Sequence, residues 1–184
     1  MNIGLLALQG AVSEHKIIMR QLDINTIEVR EREDIEKLDG LIMPGGESTT
    51  LRKLLKNSGM WDTIKDSELP IMGTCAGAIL LGKCEDETFE KMDIEIDRNY
   101  YGRQKDSFEA KISMEPIGIS SFHGVFIRAP SVSETGSGVE VLAKFNEKIV
   151  AVKQGNVIAT AFHPELTKDT SLHKSFVKLV DNQS

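Results

Sequence analysis

The sequence has few cysteines, few aromatic residues and no cluster of basic residues. Only Cys75 and Cys84 are cysteines among 184 residues, and their spacing fits no zinc or haem pattern. We therefore expect no metal site, no disulfide framework and a reducing, cytoplasmic setting. The formal net charge of -6 and the aromatic content of 5% argue against nucleic acid as the main partner.

Long apolar runs are also absent. No stretch approaches the roughly 18 apolar residues that cross a membrane, so we expect no membrane segment. The first residues lack a basic region and reach polar Gln9 early, which argues against a signal peptide. With 40% hydrophobic residues, the chain is expected to fold as a single domain over residues 1–184.

Short apolar segments alternate with helical patterns in the first half of the chain. Strands are predicted at 3–9, 26–31, 39–44 and 69–74, and helices at 12–22, 49–56 and 76–83. Strands that are apolar at nearly every position are typical of a sheet buried on both faces. This alternation predicts right-handed crossovers and a parallel sheet flanked by helices.

The second half is rich in strands with few helices between them. Strands are predicted at 92–97, 108–114, 124–130, 139–145, 148–155 and 156–162, and a final helix at 170–180. The last two strands are separated by a hairpin turn at 154–156, and several strands alternate as antiparallel ones do. The predicted fold class is α/β, with three layers, a mostly parallel central sheet and antiparallel strands in the second half.

The segment GTCAG (73–77) has the spacing of a nucleophile elbow. Gly73 and Gly77 flank Cys75 in the pattern G-x-C-x-G, between a predicted strand and a predicted helix. Such a turn would expose the sulfur, favour the thiolate at a helix start, and offer the Ala76 N–H to an oxyanion. The alternative is a small buried residue, since free cysteine is among the most buried residue types.

Among the four histidines, His163 has the neighbours of a catalytic base. It ends a predicted strand in FHPEL (162–166), and Glu165 is close enough to fix its tautomer. Cysteine, histidine and glutamate would then act as nucleophile, base and orienting group. His15 and His173 are expected to be half-buried helix residues, and no neighbour in the sequence orients His123.

The segment PGGES (44–48) follows another predicted strand. Gly45 and Gly46 permit a close backbone approach to a ligand, and the Gly46 N–H is a candidate second oxyanion donor. Glu47 is a candidate for binding a substrate ammonium. Ser48 or Thr49 is expected to cap the following helix. A plain strand–turn–helix junction would explain the cap but not the glycine pair beside Glu47.

Together, these motifs resemble a known family. GTCAG and FHPE are similar to the class I glutamine amidotransferases. The segments that further resemble the glutaminase subunits of pyridoxal 5′-phosphate synthase are LALQGAVSEH (6–15), LIMPGGESTT (41–50), RNYYGRQKDSFEA (98–110), GVFIRAP (124–130) and FHPEL. Residues 84–97 depart from that family's usual pattern, which is longer and less charged.

The resemblance implies a role for each matched residue. Cys75 would be the nucleophile, His163 the base and Glu165 its orienting group. The residues implied to bind glutamine are Gly46, Glu47, Ser48, Arg98, Ile127 and Arg128. A cation and an anion suit free glutamine, which carries both a carboxylate and an ammonium. No cofactor is implied.

The resemblance also implies a partner, a synthase subunit that consumes the ammonia to build pyridoxal 5′-phosphate. Gln9 and Gly10 would lie on the docking side and report partner binding to the oxyanion turn; otherwise Gln9 is the polar end of a strand. Two alternatives stay open. One is a stand-alone cysteine hydrolase that acts on another amide, and the other is a regulatory binding module without activity.

Overall fold

The computed structural model describes residues 1–98, 100–101 and 107–183. Its strands are β1 (Ile3–Leu6), β2 (Thr26–Val29), β3 (Gly40–Met43), β4 (Ile71–Thr74), β5 (Ile94–Asp97), β6 (Phe108–Met114), β7 (Ile119–Phe126), β8 (Ser131–Thr135), β9 (Glu140–Phe145), β10 (Lys148–Gln154) and β11 (Val157–Thr160). Its helices are α1 (Val12–Gln21), α2 (Arg32–Ile35), α3 (Ser48–Asn57), α4 (Met60–Asp66), α5 (Ala76–Leu81) and α6 (Ser171–Asp181). Asn99 and residues 102–106 of the RNYYGRQKDSFEA segment lie outside the described residues.

The main sheet is parallel in one half and antiparallel in the other. Its strand order is β2-β1-β3-β4-β11-β10-β8-β5, with β9 paired to β10. The pairs from β2 to β11 are parallel, and those beyond β11 are antiparallel. A second, two-stranded sheet is the antiparallel β6–β7 hairpin. The predicted fold class is confirmed.

Apolar residues cover both faces of the sheet. In β3, Leu41 and Met43 belong to one buried cluster and Ile42 to the other, and β4 divides Ile71 and Met72 in the same way. Side chains of α2, α3, α4 and α5 complete the first cluster. Those of α1, α6 and the β6–β7 hairpin complete the second. Two-sided burial explains the nearly continuous apolar runs of these strands.

Some elements differ from the sequence prediction. Helices α2 and α4 and strand β8 were not predicted, and β7 begins at Ile119 rather than at residue 124. Both missed helices are short, at 4 and 7 residues, which gives helical periodicity few turns in which to show. Within the described residues, no helix is both long and apolar enough to cross a membrane.

Four neighbouring parallel strands end at the same edge of the sheet. Since β1, β3, β4 and β11 are adjacent and share one direction, the segments that follow them must emerge close together. These segments are the Gln9–Gly10 turn, the PGGES turn, the Cys75 turn and FHPEL. Open α/β sheets place their sites at this edge.

Gly77 of α5 provides a test of the close packing behind this edge. A Cβ on Gly77 would lie 2.1 Å from the Met43 carbonyl oxygen, which the sheet holds in place. We expect Gly77→Ala to lower the free energy of unfolding by about 1–3 kcal/mol. Gly124→Ala is the control, because its Cβ would meet only side-chain atoms, at 2.9 Å or more. Equal urea midpoints for the two variants would contradict this packing.

Candidate active site

Cys75 lies on a strained turn between β4 and α5. Its backbone has φ 47° and ψ −102°, a conformation that residues other than glycine rarely adopt. Its N–H donates to the Thr160 carbonyl at 2.8 Å, which fixes the turn against β11. A Cβ on Gly73 would lie 2.7 Å from the Gly77 carbonyl carbon, so the chain crosses itself too closely for other residues. The turn has the geometry of a nucleophile elbow.

His163 and Glu165 follow β11 and form a hydrogen-bonded pair. His163 Nδ1 lies 2.7 Å from Glu165 Oε1. Burial alone would lower the pKa of His163, but hydrogen bonds to Cys75 and Glu165 and the attraction of both groups raise that pKa to about 10. The imidazolium is thereby favoured beside the sulfur, as a thiolate nucleophile requires.

The glycine turn after β3 passes directly over these two side chains. A Cβ on Gly45 would lie 2.3 Å from His163 Cε1 and 3.2 Å from Cys75 Cβ. The Gly45 carbonyl accepts a hydrogen bond from the Ala11 N–H at 3.2 Å. Because the C=O and N–H of a trans peptide point to opposite sides, the Gly46 N–H is directed away from α1.

Gln9 and Gly10 lie against this glycine turn. Gln9 Oε1 accepts a hydrogen bond from the Glu47 N–H at 3.0 Å. Gly10 has φ +101°, and a Cβ there would lie 1.8 Å from the Gly45 carbonyl oxygen. The segment after β1 is thus packed on the backbone that borders Cys75.

Arg98 joins α3 to the charged segment 84–97. Its guanidinium donates to Ser48 Oγ at 2.9 Å and to Thr49 Oγ1 at 3.0 Å, and it forms an ion pair with Asp86. Asp86 also lies 3.2 Å from Arg52. Hydrogen bonding and attraction by Arg52, with the charge of Arg98, hold the pKa of Asp86 below its ordinary value.

The expected helix cap at Ser48 or Thr49 is wrong. Glu47 is the N-cap residue of α3, and no side chain caps the helix. The two hydroxyls accept hydrogen bonds from Arg98 instead. The Glu47 carboxylate accepts a hydrogen bond from Thr50 Oγ1 at 2.6 Å and is exposed.

One cleft of about 510 Å³ brings most of the predicted site residues together. Those that line it are Gln9, Gly10, Gly46, Glu47, Ser48, Cys75, Arg98, Ile127, Arg128 and His163. The Ile127 carbonyl oxygen lies 3.8 Å from the sulfur of Cys75, and Arg128 has a strained φ of 45°. Ala76 and Glu165 are buried behind the lining.

In the part of the chain that the structure describes, no group of three His, Cys, Asp or Glu side chains could hold a metal ion.

Three histidines have surroundings that the sequence did not reveal. The expectation that His15 and His173 are half-buried is wrong, because both are fully buried. His15 Nδ1 lies 2.8 Å from His173 Nε2. His123 is oriented after all, with Nε2 2.7 Å from Glu109 Oε2 across the β6–β7 hairpin. The sequence placed the first two on predicted helices but could not show the partners that bury them.

Cys84 differs from Cys75 in burial and in its position relative to the cleft. Its side chain is half-buried, and its sulfur lies 3.6 Å from the Asp86 carbonyl oxygen. It does not line the cleft that holds Cys75. The two cysteines therefore form a matched pair for experiments.

Comparison with known proteins identifies the family. Residues 5–182 match the SNO glutamine amidotransferase family. The chain belongs to this family.

Curated relatives of this SNO chain are similar to it over nearly their full length. The pyridoxal 5′-phosphate synthase subunit PdxT of Nitrosopumilus maritimus is 49% identical, covering 97% of this chain and 96% of the relative. PdxT of Brevibacillus brevis is 46% identical over 98% of this chain and 97% of its own. The resemblance inferred from the sequence motifs is confirmed.

One solved structure agrees with this family assignment, and a second shares the fold. A crystal structure of a glutamine amidotransferase superposes with a TM-score of 0.90 at 45% identity, over 97% of this chain and 98% of the other. A glutamine amidotransferase from Thermotoga maritima gives a TM-score of 0.65 at 12% identity, over 100% of this chain and 83% of the other. The second likeness concerns the fold alone.

The contact with Cys75 is expected to set the pKa of His163. Cys75→Ala removes a hydrogen bond and an attraction that both raise this pKa, so we expect it to fall well below 10 in an NMR titration. In the unsubstituted chain, the folded pKa of His163 lies above its unfolded value. The contribution of the protonated imidazole to the free energy of unfolding is therefore complete below about pH 6.5 and is lost as the pH rises towards 10.

Cys84→Ala is the control for the NMR titration and should leave the pKa of His163 unchanged. An unaltered pKa in Cys75→Ala would contradict the pairing.

Proposed function

We propose that this chain hydrolyses the side-chain amide of L-glutamine to glutamate and ammonia, and delivers the ammonia to a synthase subunit that makes pyridoxal 5′-phosphate. Residues 1–184 would act as one amidotransferase domain in the cytoplasm. The observation that supports the chemistry most strongly is the strained Cys75 turn facing His163, which is itself hydrogen-bonded to Glu165.

Cys75 is the nucleophile and His163 the proton carrier of this reaction. The thiolate attacks the amide carbon, and the N–H groups of Gly46 and Ala76 stabilise the oxyanion. His163 then gives its proton to the departing nitrogen, which leaves as ammonia, and a thioester remains. Water, deprotonated by His163, attacks the thioester and releases glutamate. Glu165 holds the imidazole throughout.

The ends of glutamine are matched by charges around the cleft. Arg98 or Arg128 would bind the α-carboxylate, and Glu47 the α-ammonium. Ser48 and the Ile127 backbone would complete the pocket. These residues line the same cleft as Cys75, so a glutamine held by its charged end can extend its amide towards the sulfur.

The partner follows from the named relatives and from the product. The curated relatives are subunits of pyridoxal 5′-phosphate synthase, and ammonia needs an acceptor. Gln9 and Gly10 would communicate docking of that synthase subunit, since they touch the glycine turn that borders Cys75. We expect neither nucleic acid nor a membrane as partner, and no cofactor or metal in the reaction.

Removing the sulfur of Cys75 tests the proposed chemistry. We expect Cys75→Ala to reduce glutamate release in the presence of the synthase subunit by a factor on the order of 10⁴ or more. Cys84→Ala should keep wild-type turnover. Coupled measurement of glutamate and pyridoxal 5′-phosphate would report both halves of the reaction.

The same assay separates the alternatives. Wild-type hydrolysis of asparagine or simple esters, in preference to glutamine and without the synthase subunit, would favour a stand-alone hydrolase. No turnover of any amide would favour a binding module. Full glutamate release by Cys75→Ala would refute the proposed mechanism.

Arg98 tests how the substrate is bound. We expect Arg98→Gln to raise KM for glutamine roughly tenfold or more, because a charged hydrogen bond is lost, with little change in kcat. Arg52→Gln is the matched control, since Arg52 contacts the same Asp86 but does not line the cleft. An equal rise in KM for both variants would show that Arg98 acts only through Asp86.

A further inference from the structure

His15 lies at the centre of a buried polar chain behind the candidate active site. Its Nδ1 is 2.8 Å from His173 Nε2. Its Nε2 is 3.4 Å from Thr74 Oγ1 and 3.4 Å from Glu165 Oε2. The His15, Thr74, Glu165 and His173 residues are all buried. The mechanism above uses only Glu165 from this set.

Two buried atoms without hydrogen-bond partners indicate which nitrogens of His15 and His173 carry the protons. Among the described residues, neither His173 Nδ1 nor Glu165 Oε2 has a well-formed hydrogen bond. If Nδ1 of His173 carried its proton, a donor would be buried without an acceptor. Nε2 of His15 would then turn a lone pair towards the carboxylate. Both features cost free energy in a buried site.

The opposite arrangement removes the buried unpaired N–H and the lone pair facing the carboxylate, and leaves only an unpaired lone pair at Nδ1 of His173. His173 donates its Nε2–H to Nδ1 of His15, which leaves His15 with its own proton on Nε2. That N–H faces the free oxygen of Glu165 and the hydroxyl of Thr74. Burial lowers the pKa of His15 well below 6.5, with His173 and His163 adding to the effect, and burial lowers that of His173 to about 4. Both rings are therefore neutral at pH 7.

We infer that His15 is a positioning residue for the pair of His163 and Glu165. His15 holds Glu165 through its Nε2–H and is itself oriented by His173. This inference rests on the proposed function, in which Glu165 orients His163. Glu165 Oε1 binds His163, so a donor on Oε2 fixes the carboxylate from its other side. The final histidine of the LALQGAVSEH segment thereby acquires a role in the site.

Thr74 extends the same support to the glycine turn. Its Oγ1 accepts the Gly45 N–H at 3.0 Å and faces the N–H of His15. Gly45 precedes the proposed oxyanion donor Gly46. The imidazole of His15 therefore supports the Glu165 carboxylate directly and Gly45 of the glycine turn through Thr74.

Imidazole ¹⁵N NMR of the full chain at pH 7 tests the proton positions directly. We expect both His15 and His173 to be neutral and protonated on Nε2, with His15→Gln and His173→Gln used to assign the signals. A proton on Nδ1 of either ring, or an imidazolium at either position, would overturn the inference. This readout depends on neither glutamine nor a partner.

Substitution of His15 tests its effect on Cys75. We expect His15→Phe, which removes both ring nitrogens, to slow iodoacetamide alkylation of Cys75 at least about tenfold, because a hydrogen bond to a charged group is lost. It should also lower the pKa of His163. His15→Gln keeps an N–H at the ε position and should restore most of the wild-type rate, because that N–H is what orients Glu165. The control is Met19→Ala, a buried change one turn along α1, whose folded molecules should react like wild type.

The outcomes separate positioning from mere packing. Wild-type reactivity in His15→Phe, or equal slowing in His15→Phe and His15→Gln, would overturn the inference. If His15→Phe does not fold, the NMR proton positions and the rate in His15→Gln decide. Iodoacetamide needs no glutamine pocket, so failure of the chain to hydrolyse glutamine would refute the proposed function and not this result.

Discussion

The position of the Cys75 sulfur depends on how β4 is held between β3 and β11. Parallel pairing on both sides fixes the end of β4, and the Thr160 carbonyl then accepts the N–H of Cys75. The turn that follows must place a non-glycine residue at positive φ. Such strain costs on the order of 1–3 kcal/mol and persists only where the surroundings determine the conformation. Here two neighbouring strands and the close packing at Gly73 and Gly77 do so.

The site combines an exposed polar front with a buried polar back. Charged groups at the cleft, such as Glu47 and Arg128, are exposed to water. Behind them, Glu165 and two neutral histidines lie inside an otherwise apolar layer formed by α1, α6 and the sheet. In such a layer hydrogen bonds are strong and unpaired polar atoms are costly. The arrangement of protons is consequently determined by the fold and not by solvent.

Local patterns were sufficient for the parts of the structure that local chemistry determines. The glycines at 73 and 77, the glycine pair at 45–46 and the His-Pro-Glu segment each signalled a turn after a strand, and the parallel topology then placed those turns at one edge. The pairing of Arg98 with Ser48 and Asp86 joins residues far apart in sequence. The contact of His15 with His173 spans 158 positions. Such contacts arise from tertiary packing, which periodicity does not encode. For the same reason the expected cap at Ser48 or Thr49 is wrong.

The central claim is that Cys75 is a nucleophile in a glutamine-shaped pocket. It is tested most directly by incubating the folded chain, with its synthase subunit, with a glutamine-like electrophile and mapping the label by peptide mass spectrometry. The account predicts stoichiometric labelling of Cys75, no labelling of Cys84, and protection of Cys75 by added glutamine. Labelling of Cys84 instead, or labelling of Cys75 that glutamine does not slow, would contradict it.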